Sequence, residues 1–181
     1  MRIVAGKYRH RLINYPENNP DIRPTKDMVR EGVFSALGDL TDKKVLDLFA
    51  GSGSMGIEAL SRGASKCYFI DSSDISIRCV KHNLLSLDIS NAIVMKEDYQ
   101  NALLHFVEKG EQFDLIILDP PYASGYYIGI IKEIFASNLL SDKGAIIVES
   151  LGDITYTDFA FIKSKRYHYG KTYVDILRRN Q

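Results

Sequence analysis

Between Lys44 and Ser150 five short apolar runs are separated by four stretches of helical periodicity. This alternation constrains the fold more than any other feature of the chain. The runs are KVLDLF (44–49), KCYFID (66–71), AIVMKE (92–97), FDLIILD (113–119) and GAIIVES (144–150). Helices are expected between them over 54–62, 74–87, 99–109 and 126–138; in the second of these Ile77, Val80, Leu84 and Leu87 fall on one face. Strands with almost no polar alternation are apolar on both sides, which implies a parallel sheet with helices covering each face. Another helix precedes the series, with Val29, Val33, Ala36, Leu37 and Leu40 at three- and four-residue steps. Two further strand-like runs close the chain, FAFIKSKRY and TYVDILRR, joined at Tyr169-Gly170-Lys171 as an antiparallel hairpin. Residues 2–13 read as a small hairpin around Gly6-Lys7, followed by the Pro- and Asn-rich loop NYPENNPDIRP. The expected division is an amino-terminal basic arm and loop over 1–24 and one α/β domain over 25–181, a length that suits a single core.

The first strand runs into LDLFAGSGSMGIEAL, in which Gly51, Gly53 and Gly56 have the G-x-G-x-x-G spacing of a cofactor-binding turn between strand and helix. Gly51, Ser52 and Gly53 are candidates to let a cofactor approach the main chain closely. Asp71 ends the second strand, placed to accept both ribose hydroxyls of an adenosine moiety; that suits NAD and S-adenosylmethionine equally. Asp47 separates the two. A carboxylate next to the turn repels the phosphates of NAD and favours the sulfonium and ammonium of S-adenosylmethionine, provided it points to the turn. Asp98 follows the third strand at the same carboxyl edge and could accept from the adenine amino group.

The fourth strand ends in LDPPYA, 118–123. Two prolines force the chain out of the sheet in a stiff shape and remove two amide donors. What remains is the Asp119 carboxylate, the Pro120 carbonyl and the Tyr122 ring, a set that fits an exocyclic nucleobase amine. Asp119 and Pro120 would take its two hydrogens and aim the nitrogen, and Tyr122 would stack on the base. Such chemistry needs no metal, and the four histidines and two cysteines show no ligand spacing.

Net charge is zero, but it is unevenly spread. Residues 1–30 hold seven Lys/Arg against three Asp/Glu, and residues 163–181 hold six Lys/Arg against one Asp. Both basic ends are interleaved with tyrosines, which points to nucleic acid. In GKYRHRL a strand would put Lys7, Arg9 and Arg11 on one face. With Arg23, Thr25 and Arg30 they are the candidate RNA contacts. No apolar stretch is long enough to span a membrane and the amino terminus has no signal-peptide core, so a cytoplasmic location is expected.

The motifs RIVAGKYRHR, RPTKDMVREGVF, LDLFAGSGSMGIEALSRGA and LDPPY, taken in order, resemble the bacterial 16S ribosomal RNA guanine-N2 methyltransferases, which act on the 2-amino group of guanine 966. The likeness covers essentially the whole chain. It implies a Rossmann-like class I methyltransferase with a seven-stranded, mostly parallel sheet and S-adenosylmethionine as cofactor. It further implies 16S ribosomal RNA as partner; naked RNA and a small-subunit assembly particle both remain open as the form of the substrate, and a monomer is expected. Asp71, Asp98, the Gly51–Gly53 loop and Asp119 match the family's cofactor and catalytic positions. Lys26 and Met28 depart from a common form of the second motif that has Thr and Arg there. Three rivals remain at this stage. One is an adenine 6-amino methyltransferase, which uses the same turn but usually needs an added recognition region. The others are a nicotinamide-dependent oxidoreductase and an RNA-binding module with a vestigial pocket.

Overall fold

The computed structural model describes residues 1–16, 27–120, 126–156, 159 and 162–180. Its elements follow the expected alternation: α1 (Asp27–Leu37), β1 (Lys44–Asp47), α2 (Ser54–Ser61), β2 (Lys66–Asp71), α3 (Asp74–Ser86), β3 (Ala92–Lys96), α4 (Tyr99–Glu108), β4 (Phe113–Leu118), α5 (Tyr127–Ala136), β5 (Leu140–Ser150), β6 (Ile162–Tyr169) and β7 (Thr172–Arg179). The seven strands form one sheet in the order β3-β2-β1-β4-β5-β7-β6. The first five are parallel, and β7 pairs antiparallel with both β5 and β6. The chain starts at β1 in the middle, winds outward through β2 and β3, then returns to β4 on the other side. Strand order therefore reverses between β1 and β4, where an open α/β sheet leaves a crevice at its carboxyl edge.

Alternate strand residues feed two cores. Val45, Phe69, Leu115, Ile117 and Ile147 face α1, α2 and α3, whereas Leu46, Ile70, Ile116, Leu118 and Ile146 face α4 and α5. Strand β5 begins earlier than the apolar run suggests. Phe113 pairs with Leu140, after which the register shifts before Leu115 pairs with Ala145. The polar residues 141–144 occupy this irregular stretch.

Three expectations at the amino terminus are corrected. Residues 2–13 fold back on themselves but pair only at their ends: an antiparallel bridge joins Arg2 and Leu12, flanked by bonds from Ile3 N to Arg11 O, His10 N to Ile3 O and Ile13 N to Met1 O, and the ladder extends no further. The backbone between them turns tightly, with positive φ at Gly6 and His10 and bonds from Arg9 N to Gly6 O and Arg11 N to Tyr8 O. Lys7, Arg9 and Arg11 are exposed, but they lie on this turn, so strand alternation does not put them on one face. The reason is that α2 takes the backbone bonds a partner strand would have taken. The Glu58 carboxylate accepts from Val4 N at 2.9 Å and Ala5 N at 3.0 Å. Ser61 accepts from Lys7 N through its carbonyl and from Tyr8 N through its hydroxyl, and that hydroxyl donates to Ala5 O. A side chain at Gly6 would strike Ser61 O at 1.8 Å, so glycine is required at this approach. Ile3 and Ile13 are buried in the same core as α1–α3.

The third correction is Arg30. It is only 1% exposed and so does not face a ligand. Its guanidinium donates to Asp27 at 2.7 Å and to Arg2 O, and lies 4.0 Å from Glu58. Burial pulls its pKa down while Asp27 and Glu58 oppose that shift. Helical geometry accounts for the placement, since Arg30 shares a face with the buried Val33 and Phe34. Arg23 and Thr25 lie outside the described residues.

Candidate active site

Strand β1 ends at Asp47, and the chain turns through Gly51 (φ 55°) and Gly53 (φ 80°) into α2. These left-handed angles are inexpensive only for glycine. Gly56, one turn into the helix, has a different task. A Cβ there would lie 2.4 Å from the Phe69 ring and 2.8 Å from Cys67 Sγ, so its absence lets α2 lie close on β2. All eight residues of α2 are buried.

The Asp71 carboxylate reaches this turn from the end of β2. One oxygen accepts from Gly51 N at 2.9 Å and the other from Ser73 N at 2.8 Å. Two backbone donors fix the group, and each oxygen keeps a lone pair for a ribose hydroxyl. Asp47 lies beneath the turn, 2% exposed, and accepts from Gly56 N at 3.0 Å. Burial, and then the charge of Asp71, push its pKa up to about 7 against the pull of the Gly56 amide. Its hydrogen bond goes to the first turn of α2 rather than to the Gly51–Gly53 loop, and it is partly protonated at neutral pH, so it anchors the helix as much as it supplies charge. Ser52 is buried, and its carbonyl accepts from Asn83 Nδ2 at 3.0 Å. Asp98 is exposed at the head of α4, where it accepts from Gln100 N at 2.9 Å as the helix cap.

Asp119 follows β4 directly, next to the switch point. Burial pushes its pKa well above the carboxylate range, and the charges of Glu149 and Asp47 push the same way. Pro120 beside it is buried. Tyr122 lies outside the described residues. Two neighbours escape the sequence reading. Glu149 is 5% exposed near the end of β5, one strand from Asp119. Tyr127, the first residue of α5, donates its hydroxyl to Glu149 O at 3.0 Å; burial and the two acids raise its pKa to about 12. The signal for Glu149 was present, since in GAIIVES an apolar run reaches an acid at its end, as in KVLD and FDLIILD. An aromatic row, Phe49–Tyr99–Tyr126, runs along the same edge with ring centroids 5.5 and 5.9 Å apart. These rings come from three separate segments, so no local pattern announces them.

Four adjacent strands, β2-β1-β4-β5, thus bring Asp71, Asp47, Asp119 and Glu149 to one edge. This set opposes a pyrophosphate and suits a cofactor with cationic groups and a ribose, with the ribose at Asp71. Among the described residues no group of three potential ligands could hold a metal ion. Sheet order, glycine turn and acidic edge together define a class I S-adenosylmethionine-dependent methyltransferase.

The family described as conserved hypothetical protein 95 matches residues 1–178. Ribosomal RNA small subunit methyltransferase D of Escherichia coli K12 is 35% identical over 151 residues, covering 83% of this chain and 74% of that protein. The protein of the same name from Haemophilus influenzae is 33% identical, with 91% and 88% covered. The solved structure of yhhF from Escherichia coli superposes with a TM-score of 0.85 at 30% identity, covering 99% of this chain and 98% of that one. The chain belongs to this family, that of the 16S ribosomal RNA guanine-N2 methyltransferases.

Proposed function

We infer that this chain methylates the 2-amino group of a guanine in 16S ribosomal RNA, the base at position 966, acting as a monomer on an assembling small subunit in the cytoplasm. The observation that carries the reading is Asp119, held at the sheet's switch point beside Asp47 and Glu149 and followed by the donor-free Pro120. Among the described residues no helix is long and apolar enough to cross a membrane.

When bound, S-adenosylmethionine supplies an electrophilic methyl carbon whose bond to sulfur breaks as the bond to nitrogen forms. The chain's part is to present that nitrogen. Asp119 and the Pro120 carbonyl accept the two amine hydrogens, which turns the nitrogen lone pair toward the methyl carbon. Charge rises on the nitrogen as the new bond forms, and the acceptors stabilise it where it develops. The surplus proton would pass to Asp119, which takes it as the carboxylate, the form that a cationic cofactor at this edge favours. Tyr122 stacks on the flipped base, and Asp98 takes the adenine amino group of the cofactor. Lys7, Arg9 and Arg11, with Arg23 and Thr25 beyond the described residues, hold RNA phosphates.

The test is incubation with labelled S-adenosylmethionine and 16S RNA, followed by nucleoside analysis. N2-methylguanosine is the expected product, whereas N6-methyladenosine would assign the site to adenine. Asp119→Ala should lower turnover by roughly 10²–10³-fold, the worth of one preorganised partner of the developing charge. Its affinity for S-adenosylhomocysteine should stay within about threefold, a change under 1 kcal/mol. Asp119→Asn should be milder, because its amide oxygen still accepts. Normal turnover in the alanine variant would sink the mechanism.

A further inference from the structure

The carboxyl-terminal basic run is divided by the fold. Strand β7 is antiparallel to β5, so Tyr173 lies beside Ser150 at the catalytic edge, while Arg178 and Arg179 lie at the opposite, amino edge. A cleft of about 600 Å³ opens there, lined by Lys143, Lys163, Arg178 and Arg179 with a single acid, Asp142. None of these four cations forms an ion pair among the described residues, in contrast to Arg166 in the same hairpin, which pairs with Asp153 and Asp175.

Two details mark the cleft as more than solvated surface. Lys163 and Arg178 are direct cross-strand partners. Like charges opposed in this way destabilise a hairpin unless an anion lies between them. Arg179 lies over the Phe135 ring, 5.0 Å from its centroid, which fixes the guanidinium. Its Nε is buried and has no hydrogen-bond partner among the described residues. Arg179 follows Arg178 on β7 and so leaves the opposite face of the sheet, which puts cations on both sides of the cleft at the amino edge, a set that fits a run of backbone phosphates.

We propose that this cleft is a second RNA-binding surface, which grips backbone phosphates of the 16S RNA outside the loop that carries the target guanine. Gly144 and Ser150 are six residues apart on β5, so the cleft lies about 20 Å from the catalytic edge at the usual rise per strand residue. A small loop seated in the crevice cannot reach it; the flanking RNA can. The proposal rests on the reading that the chain acts on 16S RNA.

The experiment uses the full chain and two RNAs, a stem-loop trimmed to the target and a long 16S fragment containing it. Lys163→Glu is the main variant. It turns the opposed cations into an ion pair, so folding is favoured; Lys143→Glu is the second. The long fragment should bind each variant about tenfold more weakly at low salt, and the slope of log affinity against log salt should fall by about one. Binding and methylation of the stem-loop should match wild type. Equal loss on both RNAs, no loss on the long one, or tighter binding of the wild type to anionic vesicles than to RNA would overturn the proposal. A wild type that binds the long fragment but methylates neither RNA would overturn the proposed function and leave the cleft to be judged on binding alone.

Discussion

Two buried carboxylates, Asp47 and Glu58, hold the two ends of α2 in opposite ways. Glu58 is fully buried with Arg62 Nε at 2.9 Å, Arg30 at 4.0 Å and two backbone amides on its oxygens. Asp47 is almost as buried, but among the described residues its carboxylate accepts from one amide, and its charged neighbours are acids. The Glu58 cluster is balanced, as a group retained for structure should be. The Asp47 edge is massed and unbalanced, which costs stability in the free protein and is offset when a cation arrives. One helix thus joins a structural anchor for the amino terminus to a site poised for a cofactor. The amino-terminal segment is therefore continuous with the cofactor turn. Asn83 strengthens that link: its amide donates to both Ser52 O and Asn14 O, and its oxygen accepts from Asn14 N.

The sharpest way to break the contrast is at Arg30. Arg30→Ala leaves Glu58 buried with one cation fewer, while Asp27 keeps its pair with Arg2. A loss of about 3–5 kcal/mol is expected, the usual cost of breaking a buried pair from one side. Urea unfolding measures it, and a loss under 1 kcal/mol would return Arg30 to the surface charges.

The opposite sign is expected at the other end of α2. Asp47 has a raised pKa, so the folded chain keeps a proton that the unfolded chain has released. Its stability is highest below about pH 4 and falls as pH rises toward 7, beyond which the penalty is constant. Asp47→Asn keeps an acceptor for Gly56 N and removes the penalty. It should stabilise the protein by roughly 2–4 kcal/mol at pH 8 and hardly at all at pH 4. Thermal unfolding across this range checks it, and a gain independent of pH would place the cause in packing. Turnover should fall at the same time, because the edge loses an acid that faces the cationic cofactor.

How much of this was legible in the sequence follows the range of the interactions. The sheet, its helices and the glycine turn were legible because periodicity and turn chemistry are local. Asp47, Asp71 and Asp119 were legible because strand ends in such a sheet meet at one edge. Glu149 was equally accessible on that logic. Arg30 was misread through its charge, although the spacing of Val33 and Phe34 places it on the inner face. The amino-terminal hairpin was read as too long a ladder because its alternation of cations looks extended, while only its ends pair with each other and the backbone of Val4, Ala5, Lys7 and Tyr8 bonds to Glu58 and Ser61, more than fifty residues away. Phe49, Tyr99 and Tyr126 meet only through the folded topology.

The smallest effect on stability is expected at Arg11, which shares Arg30's chemistry but not its surroundings. It is exposed, and its guanidinium donates to Ser86 O at 3.0 Å on the surface of α3. Arg11→Ala should cost at most about 1 kcal/mol, because water replaces a solvent-exposed bond. Its neighbour Arg9 is also exposed, so Arg9→Ala should cost no more. If the docked turn holds RNA, the double variant keeps its fold and loses affinity for 16S RNA. The salt slope should then fall by one to two units, about one for each phosphate contact removed. S-adenosylhomocysteine affinity gives the control. Among the described residues Arg11 bonds to the end of α3 and Arg9 to its own turn, whereas Asn83 and Glu58 hold the segment to α2 and the cofactor turn, so that affinity should not move. An unchanged salt slope would mean that the exposed cations of the turn are solvated, and that RNA enters from the carboxyl-terminal side of the sheet.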